Sequence, residues 1–321
     1  MSSFTSFNSS LVSHQTFVLI GIPGMQEKNS WVAFPLFVLY ALTLLGNITI
    51  LYVIKIDPSL HEPMYFFLSM LACSDLGLCI STMPTMLGVY WFDSREIPFN
   101  ACISQMFFIH ILQEIESGIL VAMAFDRLIA IRDPLRYRSL LSNSVIAKIG
   151  IAILSRGFCL SVCFPIPFLI KRLPFCKSNV LSHSYCLHQD AMKLACADTR
   201  VNVLYGLVVV MCTVVLDALI ILVSYILILR TALSIASRKE CVKALNTCVS
   251  HIAAILIFYV PMIGVSMAHR YGKHLSPIVH MLMANIYVAV PPLLNPIVYS
   301  VKTQKIRQRI CNILQLGKNR E

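Results

Sequence analysis

Seven long apolar blocks, separated by short polar connections, dominate the chain. They run over Asn29–Ile54, Pro63–Phe92, Ile97–Phe125, Ile149–Ile170, Val201–Leu229, Ala244–His269 and His274–Val301. A helix needs roughly 20 mostly apolar residues to cross a bilayer, so each block predicts a membrane span. The first, sixth and seventh contain no Asp, Glu, Lys or Arg. The second holds Asp75, the third Glu114 and Glu116, the fourth Arg156 and the fifth Asp217. Beyond the last block, Ile306, Ile310, Ile313 and Leu314 share one side of a helical wheel, and Lys302, Lys305 and Arg309 lie elsewhere. That pattern predicts a short amphipathic helix resting on the inner leaflet. The expected fold is an all-α membrane protein: a seven-transmembrane-helix bundle with a short amphipathic carboxyl-terminal helix. Residues 1–28 are expected to form an extracellular tail, 29–301 the seven-span domain, and 302–321 the cytoplasmic helix and tail.

Composition agrees with residence in lipid. Hydrophobic residues make up 57% of the 321 and charged residues 13%, against about 45–50% and about 25% in soluble domains. With a mean hydropathy of +0.76, a disordered chain is excluded. The net charge of +11 resembles a nucleic-acid signal until its distribution is considered. Lys and Arg fall in short clusters between apolar runs, as in membrane loops. Sixteen of them lie on one side of the seven spans and nine on the other, with Arg156 inside a span. The excess places the carboxyl terminus in the cytosol and the amino terminus outside, as for a multi-pass plasma-membrane protein. The amino end lacks a basic region followed by an apolar core, so the first span is expected to act as the insertion signal. Asn8-Ser9-Ser10 is then a usable glycosylation sequon at Asn8, whereas Asn47-Ile48-Thr49 lies inside a span.

Of twelve cysteines, Cys73, Cys79, Cys159, Cys163, Cys212 and Cys248 lie in spans, where they read as small apolar packing. Cys311 in the tail is either a palmitoylation site or a plain thiol. Cys102, Cys176, Cys186 and Cys196 lie on the outer side and imply two disulfides with three available pairings. A metal site from His183, Cys186 and His188 is the alternative; oxidation of Cys186 removes the thiolate it needs.

Candidate chemistry gathers at three depths. His110 lies about 12 Å below Cys102 along the third helix, with Gln113 and Ser117 continuing its polar face. Ser266 sits one turn below Arg270 on the sixth helix. An acidic head would pair with Arg270, whose fork fits a carboxylate bidentately. An apolar tail would lie among Phe108, Leu112, Phe158, Phe164, Val265 and Ile263. The competing reading of Arg270 is a snorkelling interfacial residue. Deeper, Asp75 and Glu116 fall at similar depth, where two carboxylates cannot both stay ionised without a cation or a proton. Glu114 and Arg156 could pair between the third and fourth helices, and Asp217 has no evident partner. At the inner face lies Asp126-Arg127, about 37 Å below Cys102.

The motifs PMYFFLSMLACSDL from Pro63, MAFDRLIAIRDPLRY from Met123, KALNTCVSH from Lys243 and PPLLNPIVYS from Pro291, with Gly46-Asn47, resemble vertebrate odorant receptors, which are rhodopsin-like G-protein-coupled receptors. The likeness runs from about Phe17 to Arg309. GIPGM from Gly21, PFLIKRLPFC from Pro167, SYCLHQDAMKLACAD from Ser184 and FYVPMIGVSMAHRYGKH from Phe258 look like class I, "fish-like", receptors, olfactory receptor family 51 first and family 52 second. The resemblance implies Cys102–Cys186 and Cys176–Cys196 disulfides. It also implies an acid-binding set at Arg270, Ser266, His110, His188 and Gln189, beside which Gln113 lies. It implies a sodium site at Asp75, Glu116 and Asn295, for which a shared proton is the alternative. It implies activation through Asp126, Arg127, Tyr225, Tyr259 and Tyr299. The expected function is an odorant receptor for small carboxylic acids that activates a stimulatory G protein and raises cyclic AMP. It has no enzymatic activity and no cofactor beyond that sodium ion. The alternatives are a receptor of the same fold for a non-acid ligand, or a membrane transporter. Leu128 and Arg132 stand where the family usually has Tyr and Cys, and Asn246 where it has a small residue. These departures bear on coupling strength, not on the fold.

Overall fold

The computed structural model describes residues 16–22, 30–160, 170–175, 178–235, 237–272 and 274–318. Its main helices are α1 (Ser30–Ile56), α2 (Pro63–Trp91), α3 (Phe99–Arg132), α4 (Asn143–Phe158), α5 (Arg200–Leu233), α6 (Arg238–Tyr271), α7 (Pro277–Lys302) and α8 (Gln304–Lys318). Among the described residues, six helices are long and apolar enough to cross a membrane. In the expected fourth span, residues 161–169 lie outside the described residues. Helices dominate because backbone groups in lipid can be satisfied only within the chain itself. Large apolar side chains such as Trp31, Leu45, Ile151, Leu204 and Val260 point outward, where a bilayer would cover them. Helices α3 and α6 outrun the apolar blocks, α3 to Arg132 and α6 starting at Arg238.

Proline and its partners explain one contact between α1 and α7. Pro296 has no N–H, so it leaves the carbonyl of Pro292 without its helical donor. Asn47 Nδ2 donates to that carbonyl at 2.9 Å and to Thr43 O at 3.0 Å. Gly46 permits the approach, because a Cβ there would stand 3.0 Å from Pro296 Cγ. Asn47 is thus buried structural glue, and its sequon is unusable.

The amphipathic tail docks on protein. Ile306 is fully buried, and Ile310 and Ile313 pack on the same central cluster of α1, α2 and α3 side chains. Its cations meet the turn between α1 and α2, with Lys305 3.2 Å from Glu62 and Arg309 3.3 Å from Asp57.

The all-α expectation is amended by a small sheet at the disulfide end. Strands β1 (Thr16–Leu19), β2 (Glu96–Pro98) and β3 (Val180–Leu181) stand in the order β2-β1-β3. β1 is antiparallel to β2, with Phe17 opposite Ile97, and parallel to β3, with Val18 beside Val180. Alternation along β1 sends Phe17 and Leu19 into a core with Val89, Ile103 and Leu181. The expected amino-terminal tail therefore contains a structural strand.

Candidate functional site

A loop held from three sides roofs the bundle at the disulfide end. Cys186 is bonded to Cys102 at the start of α3. Gln105 reinforces that join: its Oε1 accepts the Cys186 N–H at 2.8 Å, and its Nε2 donates to Ser81 O at 2.7 Å and Thr85 Oγ1 at 2.9 Å. On the other side, Tyr185 donates its hydroxyl to Ala284 O on α7 at 2.9 Å. Cys196 is disulfide-bonded. Cys176, named in the expected second pairing, lies outside the described residues, as does the sequon residue Asn8.

Asp190, within the SYCLHQDAMKLACAD motif but absent from the expected ligand set, organises the loop from within. It accepts from Ser182 Oγ at 2.6 Å and lies 3.0 Å from His183 Nδ1. Burial acts to raise its pKa, but His183, Ser182 and Lys193 outweigh that and hold it below the usual carboxylate value. A depressed native pKa stabilises the fold above the unfolded value and loses that contribution as pH falls through the native one. Protection of residues 180–193 against hydrogen exchange, relative to the intrinsic rate at each pH, is therefore expected to fall as pH drops below about 4, and Asp190→Asn is expected to abolish that dependence. Equal pH dependence in the variant would remove Asp190 from this role.

Beneath the loop lies a cavity of about 510 Å³. All six expected ligand residues, Arg270, Ser266, His110, Gln113, His188 and Gln189, line it. Arg270 Nη1 donates to Ser266 Oγ at 3.2 Å. His188 stands edge-on to His110 with ring centres 5.9 Å apart. Burial, and secondarily His110, pushes the His188 pKa down to about 3, so its ring is neutral at neutral pH. Gln113 Nε2 and Oε1, His188 Nε2, Gln189 Oε1 and Asn202 Nδ2 are buried without hydrogen-bond partners among the described residues. Such a concentration of unsatisfied polar atoms calls for water or a polar ligand.

The apolar wall differs from expectation. Of the six residues assigned to it, Val265 lines the cavity. Phe108, Phe158 and Ile263 are about half exposed on the outside of the bundle, and Leu112 packs against Gly77. Phe164 lies outside the described residues. Phe108 and Leu112 each stand two residues from His110, about 200° around the helix. The cavity instead meets Met106, Ile109, Phe258 and Met262.

At the cavity floor, the expected Glu114–Arg156 pair is present at 3.6 Å, but the closer partner of Arg156 is Asp217. The guanidinium grips both Asp217 oxygens, at 2.9 and 2.5 Å. Ser117 Oγ donates to Asp217 at 2.6 Å and meets Tyr259 OH at 2.9 Å. One polar chain thus links α4, α5, α3 and α6.

Midway down, Asn295 Nδ2 lies 3.2 Å from each Asp75 oxygen and 3.3 Å from Glu116 Oε1. All three side chains are buried, and Asn295 Oδ1 has no hydrogen-bond partner among the described residues. The carboxylate oxygens of Asp75 and Glu116, with Asn295 Oδ1 unpartnered beside them, are hard donors of the kind that suit a hard cation. Among the described residues no three His, Cys, Asp or Glu side chains form a metal site. With Cys186 oxidised, the His183–Cys186–His188 alternative is set aside.

At the far end, Arg127 Nη2 lies 2.9 Å from Asp126 Oδ2, and Tyr137 donates to Asp126 Oδ1 at 2.6 Å. Tyr225 OH meets His251 Nδ1 at 2.8 Å, and His251 Nε2 lies 3.1 Å from Leu120 O. His251 closes the KALNTCVSH motif, yet its role was not legible there. Tyr299 OH contacts Met123 Sδ at 3.8 Å.

A family model described as olfactory receptor matches residues 36–316. The chain is 61% identical to human olfactory receptor 51H1 over 94% of its own length and 100% of that protein. It is 55% identical to human olfactory receptor 51G2 over 95% and 96%, and 53% identical to mouse olfactory receptor 51E2 over 95% and 94%. Such likeness along nearly the whole chain sets aside the transporter alternative. The chain belongs to the olfactory receptor family of seven-helix G-protein-coupled receptors, alongside its family 51 members, and is a receptor rather than an enzyme.

Proposed function

We propose that this receptor binds small carboxylic acids, fatty acids foremost, in the cavity beneath the loop, and responds by activating a stimulatory G protein that raises cyclic AMP. The observation that carries the ligand class is Arg270: it lines a partly enclosed cavity and, among the described residues, pairs with no carboxylate. Its hydrogen bond to Ser266, the one it makes among the described residues, leaves donors for a bidentate acid. His110, His188 and Gln189 complete the polar end, and the apolar wall takes the tail. In cells expressing the receptor with a stimulatory G protein, straight-chain acids of about two to ten carbons are expected to raise cyclic AMP where the matching alcohols do not; the span of lengths brackets a cavity of ordinary ligand size. Silence to every acid with surface expression confirmed, or equal response to alcohols, overturns the ligand class.

The disulfide end faces outward and Asp126-Arg127 faces the cytosol, in keeping with the Lys and Arg imbalance. A ligand drives such a bundle only by binding its active packing more tightly. The chain Tyr259–Ser117–Asp217 gives the cavity floor a grip on α6. At the inner end Arg127, Tyr225 and Tyr299 would then reorganise to receive the G protein. Asp75, Glu116 and Asn295 would hold a sodium ion, whose charge compensates the two carboxylates. Glu116→Gln is expected to abolish the dependence of basal and agonist signalling on sodium; a wild-type receptor indifferent to sodium favours a shared proton, and dependence retained in the variant places the sodium effect elsewhere.

A further inference from the structure

We infer that the preferred ligand carries a second polar group, a hydroxyl, at the end opposite its carboxylate, received by Gln113 and Glu114 at the cavity floor; this rests on the acid reading of Arg270. Gln113 is 5% exposed, lines the cavity, and has neither amide atom satisfied among the described residues. Glu114 also lines the cavity; its Oε2 lies 3.6 Å from Arg156 and, among the described residues, accepts no hydrogen bond. A purely apolar tail ending here would leave an amide donor, an amide acceptor and a carboxylate oxygen desolvated together, which is costly. A hydroxyl both donates and accepts, so one atom answers the Gln113 amide and, with a small swing, the carboxylate.

The heights of the two polar ends set the ligand's length. Ser117 and Tyr259 touch at 2.9 Å and so level α3 with α6. Gln113 is four residues above Ser117, about 6 Å, and Ser266 is seven above Tyr259, about 10 Å. Arg270 is drawn toward Ser266. The axial gap of about 4–5 Å, plus the width of the cavity, matches a terminal hydroxyl some four to eight carbons from the carboxylate.

The test compares each plain acid of four, six and eight carbons with its terminally hydroxylated counterpart, by cyclic AMP in receptor-expressing cells. At one length the hydroxy acid is expected to act at about tenfold lower concentration, the effect of one well-made hydrogen bond. Gln113→Leu is expected to bring the potency ratio of hydroxy acid to plain acid back to about one, whatever it does to potency overall, and Gln113→Asn to move the optimum to a longer chain. Plain acids that respond with no hydroxyl advantage at any length overturn this inference and leave the acid reading standing. So does an advantage that survives Gln113→Leu. Failure of both acid series with the receptor at the surface overturns the acid reading and this inference with it. The wild-type comparison decides the matter even if a variant does not reach the surface.

Discussion

Arg270→Ala is expected to abolish the response to carboxylic acids while leaving the amount of receptor at the cell surface unchanged. Among the described residues the side chain's hydrogen bond is to Ser266 at 3.2 Å and it pairs with no carboxylate, so its removal strands no buried charge there. The ligand's carboxylate, in contrast, loses its counter-charge in a cavity partly enclosed beneath the loop. Truncating one member of such a pair costs about 2–5 kcal/mol, at least a thirtyfold loss of potency. Arg270→Lys keeps the charge but not the planar fork, and is expected to fall between the two. Measured as cyclic AMP against acid concentration, with surface labelling in parallel, unchanged potency in Arg270→Ala would remove the salt bridge from the account.

Arg156→Ala is expected to act in the opposite way, by lowering surface expression before any ligand is added. The guanidinium holds Asp217 through two hydrogen bonds and stands 3.6 Å from Glu114. Without it, two carboxylates face each other inside the bundle with no cation between them. Breaking a buried pair in this way costs about 3–5 kcal/mol, whereas replacing both partners by apolar groups is often neutral. Arg156→Met combined with Asp217→Leu is therefore expected to recover much of the surface expression that Arg156→Ala loses. The double variant still lacks the acceptor for Ser117, so recovered expression with weakened signalling is the expected pattern. Wild-type surface levels in Arg156→Ala would show that the pair is dispensable for folding.

The contrast between these two arginines shows where sequence reading succeeds. Span number and order were legible because lipid demands long uncharged runs, and few other structures produce seven of them. Arg270, Ser266, His110 and the loop residues were legible because each sits in a distinctive motif near a span end. The partner of Asp217 was not: which helix neighbours which, and at what rotation, leaves no local trace in the chain. Phe108 and Leu112 were misplaced for a related reason. In a membrane the outward face of a helix is as apolar as the inward one, so hydropathy alone does not say which side faces a cavity. β1 escaped notice because four alternating residues make too short a pattern, and its partners lie far along the chain.

That placement of β1 dictates an order of assembly. The strand is made first, yet its antiparallel partner at Glu96–Pro98 comes only after two helices, and its parallel partner at Val180–Leu181 only after four. Non-local pairing of this kind waits on everything between. Until the stretch carrying Val180 arrives, Phe17 and Leu19 have no closed core to enter, and one edge of β1 stays open to chance partners. The amino terminus is thus a clasp fastened late, and a chain halted before Val180 leaves it undone.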